Sequence, residues 1–212
     1  MSRAVEDPLP SERFEELLRT ASPSFALELT PETIALAGAY LETLDSWRRK
    51  TNLTGALSAP ELADHTLESL LGGGLIPHRA SIADVGSGSG FPGIPLAISR
   101  PDLSVALVEP RHKRAAFLRH VARTLPLPNV EVHEARIEDL KGRAFDSVAT
   151  RAVGALPDWL GDGALVRPGG SLLAWTTEAA DLARTLLPRF RLETSVSIPG
   201  SRRRQIAVLR RV

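Results

Sequence analysis

The residues of this chain that could do chemistry gather around one glycine-rich run, Asp84-Val85-Gly86-Ser87-Gly88-Ser89-Gly90. Glycines let a backbone approach a ligand closely and take positive φ angles. A helix starting just beyond them offers free N–H groups to a negative group. Dinucleotide sites use the spacing G-x-G-x-x-G. Here the glycines stand at 86, 88 and 90, with Gly93 beyond, and Asp84 precedes the first by two residues. Glu109 follows Gly90 by 19 residues at the end of an apolar run. A carboxylate there can accept hydrogen bonds from both ribose hydroxyls of a nucleotide-like ligand. In Ala135-Arg136-Ile137-Glu138-Asp139-Leu140, an acid or a backbone group could reach an adenine edge. Each piece has a plainer alternative: a tight turn, a surface acid, an unspecific loop. Their order along the chain is what argues for one site. Arg151 ends a further apolar run, and its planar fork suits a phosphate or a guanine edge. Its plainer role is an ion pair with Asp84 or Glu138.

These residues share a site only if strands and helices alternate. Ser11 is expected to cap a short helix through Arg19. Thr30-Pro31-Glu32 starts a second helix, with Ile34, Ala37, Leu41, Leu44 and Trp47 at helical spacing and an end near Arg49. Asn52-Leu53-Thr54-Gly55 reads as a loop. Ser58-Ala59-Pro60-Glu61 starts a third helix, which Gly72-Gly73-Gly74 stops. Beyond residue 80 the pattern changes. Strands are expected at 81–85, 103–109, 130–133, 145–150, 171–175, 192–198 and 205–210. Helices are expected at 94–100, 111–125 and 178–187, with a helix or turn at 154–160 and a turn at Arg167-Pro168-Gly169-Gly170. This grammar gives an α/β protein with a mostly parallel sheet covered on both faces, and its last two strands suit an antiparallel edge. Residues 1–75 read as an N-terminal helical extension and 76–212 as the sheet domain. Such a sheet binds ligands at the C-terminal ends of its strands, where the glycine loop lies.

Composition removes several chemistries. The chain has no cysteine, which excludes disulfides, thiolate metal sites and cysteine nucleophiles. His112, His120 and His133 have no metal-ligand spacing with acids, so no metal is expected. No run approaches a membrane span and no apolar signal core is present, so a cytoplasmic protein is expected. A monomer is expected because no exposed apolar stripe stands out. Net charge is only +1, so basic function must lie in clusters rather than in the whole. All 26 basic residues except Lys50, Lys113 and Lys141 are arginine. Arg48-Arg49-Lys50 stands beside Asn52, and Arg202-Arg203-Arg204 precedes the last strand. Either could hold phosphates, or be a solvated arginine face. Arg111, Lys113, Arg114, Arg119 and Arg123 read as a solvated helix face. His65 and Ser69 lie one turn apart, placed to close over a ligand or simply to pack.

The G-x-G-x-G spacing behind an acid looks like the cofactor loop of class I methyltransferases, where the acid and loop amides hold the aminopropyl-carboxylate end of S-adenosylmethionine. Over roughly residues 31–210 the chain resembles the GidB (RsmG) family, bacterial methyltransferases of guanine N7 in small-subunit (16S) ribosomal RNA. The carriers are Trp47-Arg48-Arg49-Lys50-Thr51-Asn52-Leu53-Thr54, His65-Thr66-Leu67-Glu68-Ser69-Leu70 and, most specific, the tail Phe91-Pro92-Gly93-Ile94-Pro95 after the glycine loop. Val108-Glu109, Lys113-Arg114, Phe117-Leu118, Ala135-Arg136-Ile137-Glu138 and Phe145–Ala152 complete it. The resemblance implies a Rossmann-like seven-stranded sheet, S-adenosylmethionine as cofactor, and 16S ribosomal RNA or the small subunit as partner. By matched position, Gly86 and Phe91 line the cofactor loop and Ile137 and Glu138 flank the adenine; Asp84, Gly88, Gly90 and, for the ribose, Glu109 are the cofactor residues that the spacing itself suggests. Arg151 stands at the mouth, near the methyl group or the substrate, and is expected both to bind the cofactor and, as the catalytic residue, to position the substrate. His65, Asn52, Arg48, Arg202 and Arg203 are the expected substrate contacts.

The chain departs from the family where a lysine-glycine pair follows the strand after Pro168-Gly169-Gly170; here Trp175-Thr176-Thr177 stands there. Arg48 replaces an asparagine and Asp64 an arginine. The lost lysine bears on the RNA substrate, so a different methyl acceptor stays open. Guanine N7 carries an exposed lone pair, so attack on a methyl group needs no general base. Arg151-Ala152-Val153 in place of an Asn/Asp-Pro-Pro-aromatic motif agrees with this, and the absence of cysteine excludes a covalent cytosine-C5 route.

Overall fold

The computed structural model describes residues 7–49, 51, 53–55, 57–140, 142–151 and 165–212. Three helices come first: α1 (Ser11–Ala21), α2 (Pro31–Arg48) and α3 (Ala59–Leu71). The Thr30 hydroxyl accepts the Thr33 N–H at 3.1 Å and starts α2. Ser58 and Glu61 form a reciprocal capping box on α3. Ser11 is not a cap: Pro10 occupies that position in an extended conformation, and its carbonyl accepts the Arg13 N–H. The expected apolar stripe of α2 is buried at Ile34, Ala37, Leu41 and Leu44, with Trp47 at its margin. A 3-10 turn over Gly72–Leu75 ends the helical segment.

The rest is a seven-stranded sheet: β1 (Ser81–Val85), β2 (Ser104–Val108), β3 (Val130–His133), β4 (Phe145–Arg151), β5 (Val166–Thr176), β6 (Phe190–Ser197) and β7 (Gln205–Arg211). Among the described residues, the connecting helices are α4 (Gly93–Ser99), α5 (His112–Thr124) and α6 (Ala179–Leu186). The strand order is β3-β2-β1-β4-β5-β7-β6. The first five strands are parallel; β7 runs antiparallel to β5 and to the edge strand β6. The seven-stranded, mostly parallel sheet with an antiparallel C-terminal edge is therefore as the sequence predicts. The helix or turn expected at 154–160 lies outside the described residues.

Side-chain alternation divides the core. Ile82, Val105, Leu107, Ala149, Leu173 and Ile206 face the helices α1–α5. Ala83, Val85, Ala106, Val108, Val148 and Leu172 face the opposite layer with Leu186 and Phe190. Burial on both faces is why the central strands read as continuous apolar runs. The turn expected at 167–170 is instead absorbed into β5. The strand continues through it as a bulge, with a register shift against β4 between Phe145 and Ser147 and Gly169 at φ +73°. No helix among the described residues is long and apolar enough to cross a membrane.

Packing of α3 onto the sheet depends on a missing methyl group. Gly72 has φ −66° and ψ −20°, which any residue adopts. A Cβ there would stand 2.5 Å from Cζ2 and 2.7 Å from Cη2 of Trp175. Chain entropy alone would favour Gly72→Ala by about 0.4–1 kcal/mol. The indole contact reverses the sign, and urea unfolding should show a loss of about 1–3 kcal/mol. A stabilised variant would contradict this packing.

Candidate active site

Strand β1 pairs with β2 on one side and β4 on the other, Val85 lying beside Val108 and Thr150. The sheet grows in opposite directions from this point, which opens a crevice at the C-terminal strand ends. The glycine loop and Arg151 both stand there.

The loop is tightly wound. Gly86 and Ser87 both donate their N–H groups to the Val108 carbonyl, at 2.9 and 3.2 Å, and Gly90 donates to Ser87 at 2.7 Å. Gly86, Gly88 and Gly90 have φ of +72°, +55° and +101°. Gly90 is also crowded, since a Cβ would meet Ile94 Cγ1 at 2.8 Å and the Tyr40 hydroxyl oxygen at 3.0 Å. That hydroxyl donates to the Ser89 carbonyl at 2.7 Å, so α2 holds the loop from behind.

Two carboxylates brace it. Asp84 is 1% exposed. Its Oδ2 accepts the Gly93 N–H at 3.0 Å, and its Oδ1 has no hydrogen-bond partner among the described residues. Burial pushes its pKa up to about 7 against the Gly93 hydrogen bond. Gly93 must be glycine: a Cβ would stand 2.3 Å from Leu107 Cδ2 and 2.6 Å from that Oδ2. Glu109, 3% exposed, accepts the Gly88 N–H at 3.0 Å and the Arg111 N–H at 2.9 Å. Each oxygen keeps a second acceptor position. Ile137 is half-buried and Glu138 exposed, in a 3-10 turn over Ile137–Leu140 that Asp139 caps through the Arg136 N–H.

Across the crevice, the Arg151 guanidinium sits 6.0 Å from the centroid of the Phe91 ring. Tyr40 and His65 meet the same ring edge-on, at 5.5 and 5.8 Å. Neither Asp84 nor Glu138 is the ion-pair partner of Arg151; Glu68 of α3 is, at 2.7 Å. Asp84 turns one oxygen toward the Gly93 N–H within the loop, whereas α3 lays Glu68 directly against the end of β4. Burial lowers the Arg151 pKa, and Glu68 opposes that shift. Burial and the charges of Arg151 and Arg204 bring the His65 pKa down to about 4. Ser69 is fully buried and donates to the His65 carbonyl at 2.7 Å, so it serves the helix and does not face a ligand.

Glu68 and Tyr40 were not singled out by residue type or spacing. The one signal for Glu68 is an acid inside the apolar stretch Leu67–Leu71, one turn after His65. It is 1% exposed, and Arg204 reaches its other oxygen. The Trp175 indole N–H donates to its backbone carbonyl at 2.9 Å. Glu68, Arg151, Trp175, Thr176, Thr177, Ile198 and Arg204 line a cleft of about 300 Å³. Thr176 pairs in register with Gln205, which brings Arg204 beside the Thr176-Thr177 pair.

The other expected contacts are dispersed. Arg48 turns inward: it donates to the fully buried Asp45 and to the Leu57 carbonyl. Arg49 and the Leu9 N–H reach the same carboxylate. Asn52 lies outside the described residues. Arg202 and Arg203 are exposed in the turn before β7. On the basic face of α5, Arg111, Lys113, Arg119 and Arg123 are exposed and Arg114 half-buried. Arg111, His112, Lys113 and Arg114 line a cleft of about 400 Å³ with Thr51 and Leu53. Among the described residues no group of three or more histidines and acids is placed to hold a metal.

Residues 33–184 match the family profile described as rRNA small subunit methyltransferase G. The chain is 40% identical to the ribosomal RNA small subunit methyltransferase G of Chromobacterium violaceum, over 68% of this chain and 69% of that one. It is 38% identical to the Halorhodospira halophila protein of the same name, over 79% and 80%. Among solved structures, a ribosomal protein L11 methylase from Lactobacillus delbrueckii superposes with a TM-score of 0.57 at 14% identity, over 70% of this chain and 79% of that one. A SAM-dependent methyltransferase from Aquifex aeolicus gives 0.53 at 15%, over 64% and 83%. At these identities the structural likeness concerns the fold.

Asp84 and His65 oppose each other in pH. A carboxyl whose pKa is higher folded than unfolded binds its proton more tightly when folded. Asp84 therefore makes the fold less stable as pH rises from about 4 to about 7. His65, lowered from 6.5 to about 4, makes it less stable as pH falls through that interval. Urea unfolding across the interval should show that Asp84→Asn steepens the loss on acidification and that His65→Gln lessens it. Unchanged pH profiles in both variants would contradict these placements.

Proposed function

The chain belongs to the rRNA small subunit methyltransferase G (GidB) family, and on that premise we propose that it methylates N7 of a guanine in 16S ribosomal RNA with S-adenosylmethionine. The observation that carries this reading is the placing of the glycine loop and Arg151 on the two sides of one crevice. The loop residues suit the cofactor. The bare backbone at Gly86, Gly88 and Gly90 admits close approach, and the buried, unpartnered Asp84 Oδ1 is an acceptor for a cationic donor. In this reading Asp84 takes the amino-acid end, Glu109 the ribose hydroxyls through its remaining acceptor positions, and Ile137 and Glu138 the adenine. Phe91 forms the wall between loop and Arg151.

When bound, S-adenosylmethionine supplies a methyl group on a positively charged sulfur. The protein's part is alignment, worth up to ~7–11 kcal/mol in favourable cases. Guanine N7 brings its own lone pair, so the transfer requires no residue to remove a proton. His65, with a pKa of about 4, is uncharged at neutral pH and adds no positive charge against a purine that becomes cationic. Arg151, fixed by Glu68 and by the Phe91 face, is the fork that holds the guanine edge or its phosphate. The reading takes the enzyme as a cytoplasmic monomer that uses no metal.

Incubation with labelled S-adenosylmethionine and undermethylated small ribosomal subunits should place the label on the RNA, as 7-methylguanine. Absence of label from the RNA would overturn the reading. Arg151→Ala should lower transfer about a hundredfold with little change in cofactor affinity, because misplacement near the chemistry carries that order of loss. Equal losses in transfer and affinity would put Arg151 in the cofactor site instead.

A further inference from the structure

We propose that Glu68 is a positioning residue that holds Arg151 for the acceptor and competes with RNA phosphate for Arg204, which makes Arg204 a releasable arm; this rests on the rRNA methyltransferase reading.

An ionised carboxylate as buried as Glu68 is tolerable only when paired and hydrogen-bonded. One oxygen takes Arg151 at the end of β4 and the other takes Arg204 in the turn before β7, segments that no local sequence signal joins to α3. The two guanidinium groups are not equivalent. The Arg151 side chain is 15% exposed, at the end of a central strand, with the Phe91 ring below it and the His65 carbonyl as a second acceptor at 3.4 Å. The Arg204 side chain is 44% exposed, in the turn between β6 and β7. Ion pairs with an exposed partner contribute little, so exchanging Glu68 for a phosphate is close to neutral for Arg204. Removing Arg151 would strand a buried charge, which is strongly unfavourable.

The arrangement therefore has a direction. The three side chains together carry one positive charge at the edge of the 300 Å³ cleft. An RNA phosphate arriving there draws Arg204 outward and leaves Glu68 with Arg151 as a neutral pair. Substrate binding would thus tighten the hold on the arginine that faces the acceptor. The Trp175 hydrogen bond to the Glu68 carbonyl and the bare Gly72 fix α3 while this exchange takes place.

The test uses the full chain, S-adenosylmethionine and undermethylated small subunits, with the variants Glu68→Gln, Glu68→Asp and Arg204→Ala. Glu68→Gln removes the competitor, so RNA should bind more tightly at low salt with the wild-type salt slope kept, because Arg204 meets the phosphate in both complexes. Turnover at saturating RNA should nevertheless fall about tenfold or more, with cofactor affinity unchanged. Glu68→Asp should recover part of that turnover. A residue with a purely structural role would lose binding and turnover together, and that result would overturn the proposal. Should Glu68→Gln fail to fold, Arg204→Ala decides the matter. It should raise KM for RNA and lower the salt slope by about one, with kcat nearly kept. An unchanged slope, or a loss confined to kcat, would overturn the proposal. Wild-type protein that fails to label RNA at all would overturn the methyltransferase reading and this inference with it. Active wild type without the binding-turnover split would overturn this inference alone.

Discussion

Strand β1 is hydrogen-bonded to β2 and β4, and the direction of sheet growth reverses across it. The loop leaving β1 leads toward β2, and the sheet cannot fill the space between that loop and the end of β4. Everything at the site answers to that opening. The glycine loop folds back onto the Val108 carbonyl, Glu109 ties the loop to the start of α5, and Tyr40 pins it from α2. On the far side Arg151 ends β4 and is drawn to α3. The crevice is bounded by elements far apart in sequence, and its two walls meet at the Phe91 ring.

Buried acids hold these walls, and they are used in two ways. Asp84 and Glu109 receive backbone N–H groups and shape the loop. Glu68 receives two arginines and joins separate elements, whereas Asp45 pairs with Arg48 and Arg49 at the end of its own helix and takes the Leu9 N–H from the segment before α1. Buried ion pairs are weak evidence for stability because desolvation offsets their attraction. The value of the two Glu68 pairs is geometric: they bring α3 against the end of β4 and the turn before β7. This also explains why so arginine-rich a chain keeps several of its guanidinium groups turned inward. The basic clusters seen in the sequence are divided by the fold into braces such as Arg48 and outward groups such as Arg202 and Arg203.

Period and punctuation made most of the fold legible. The alternation of apolar runs with capped helices gives the strand set, and the short spacing of the last two strands gives the antiparallel edge. The bulge in β5 was not legible, because Arg167-Pro168-Gly169-Gly170 has turn chemistry and only pairing with β4 shows that the strand continues through it. At the site, Asp84, the glycines and Glu109 are legible because their spacing is local to two strand ends. Glu68 is not: its partners lie 83 and 136 residues away, and no local pattern encodes that meeting. The same reason sent Arg151 to Asp84 or Glu138 in the sequence reading. Those acids are near it in the motif order, whereas Glu68 is near it only in the folded chain.

The central claim is that the loop after β1 holds the methyl donor with its sulfur toward the Phe91-Arg151 side of the crevice. A crystal structure with S-adenosylhomocysteine bound tests it directly. The account predicts the amino-acid end against Asp84 and the glycine loop, the ribose on Glu109, and the sulfur facing Phe91 and Arg151. A ligand seated in the cleft of Thr51, Lys113 and Arg114, or a sulfur turned away from Arg151, would contradict it.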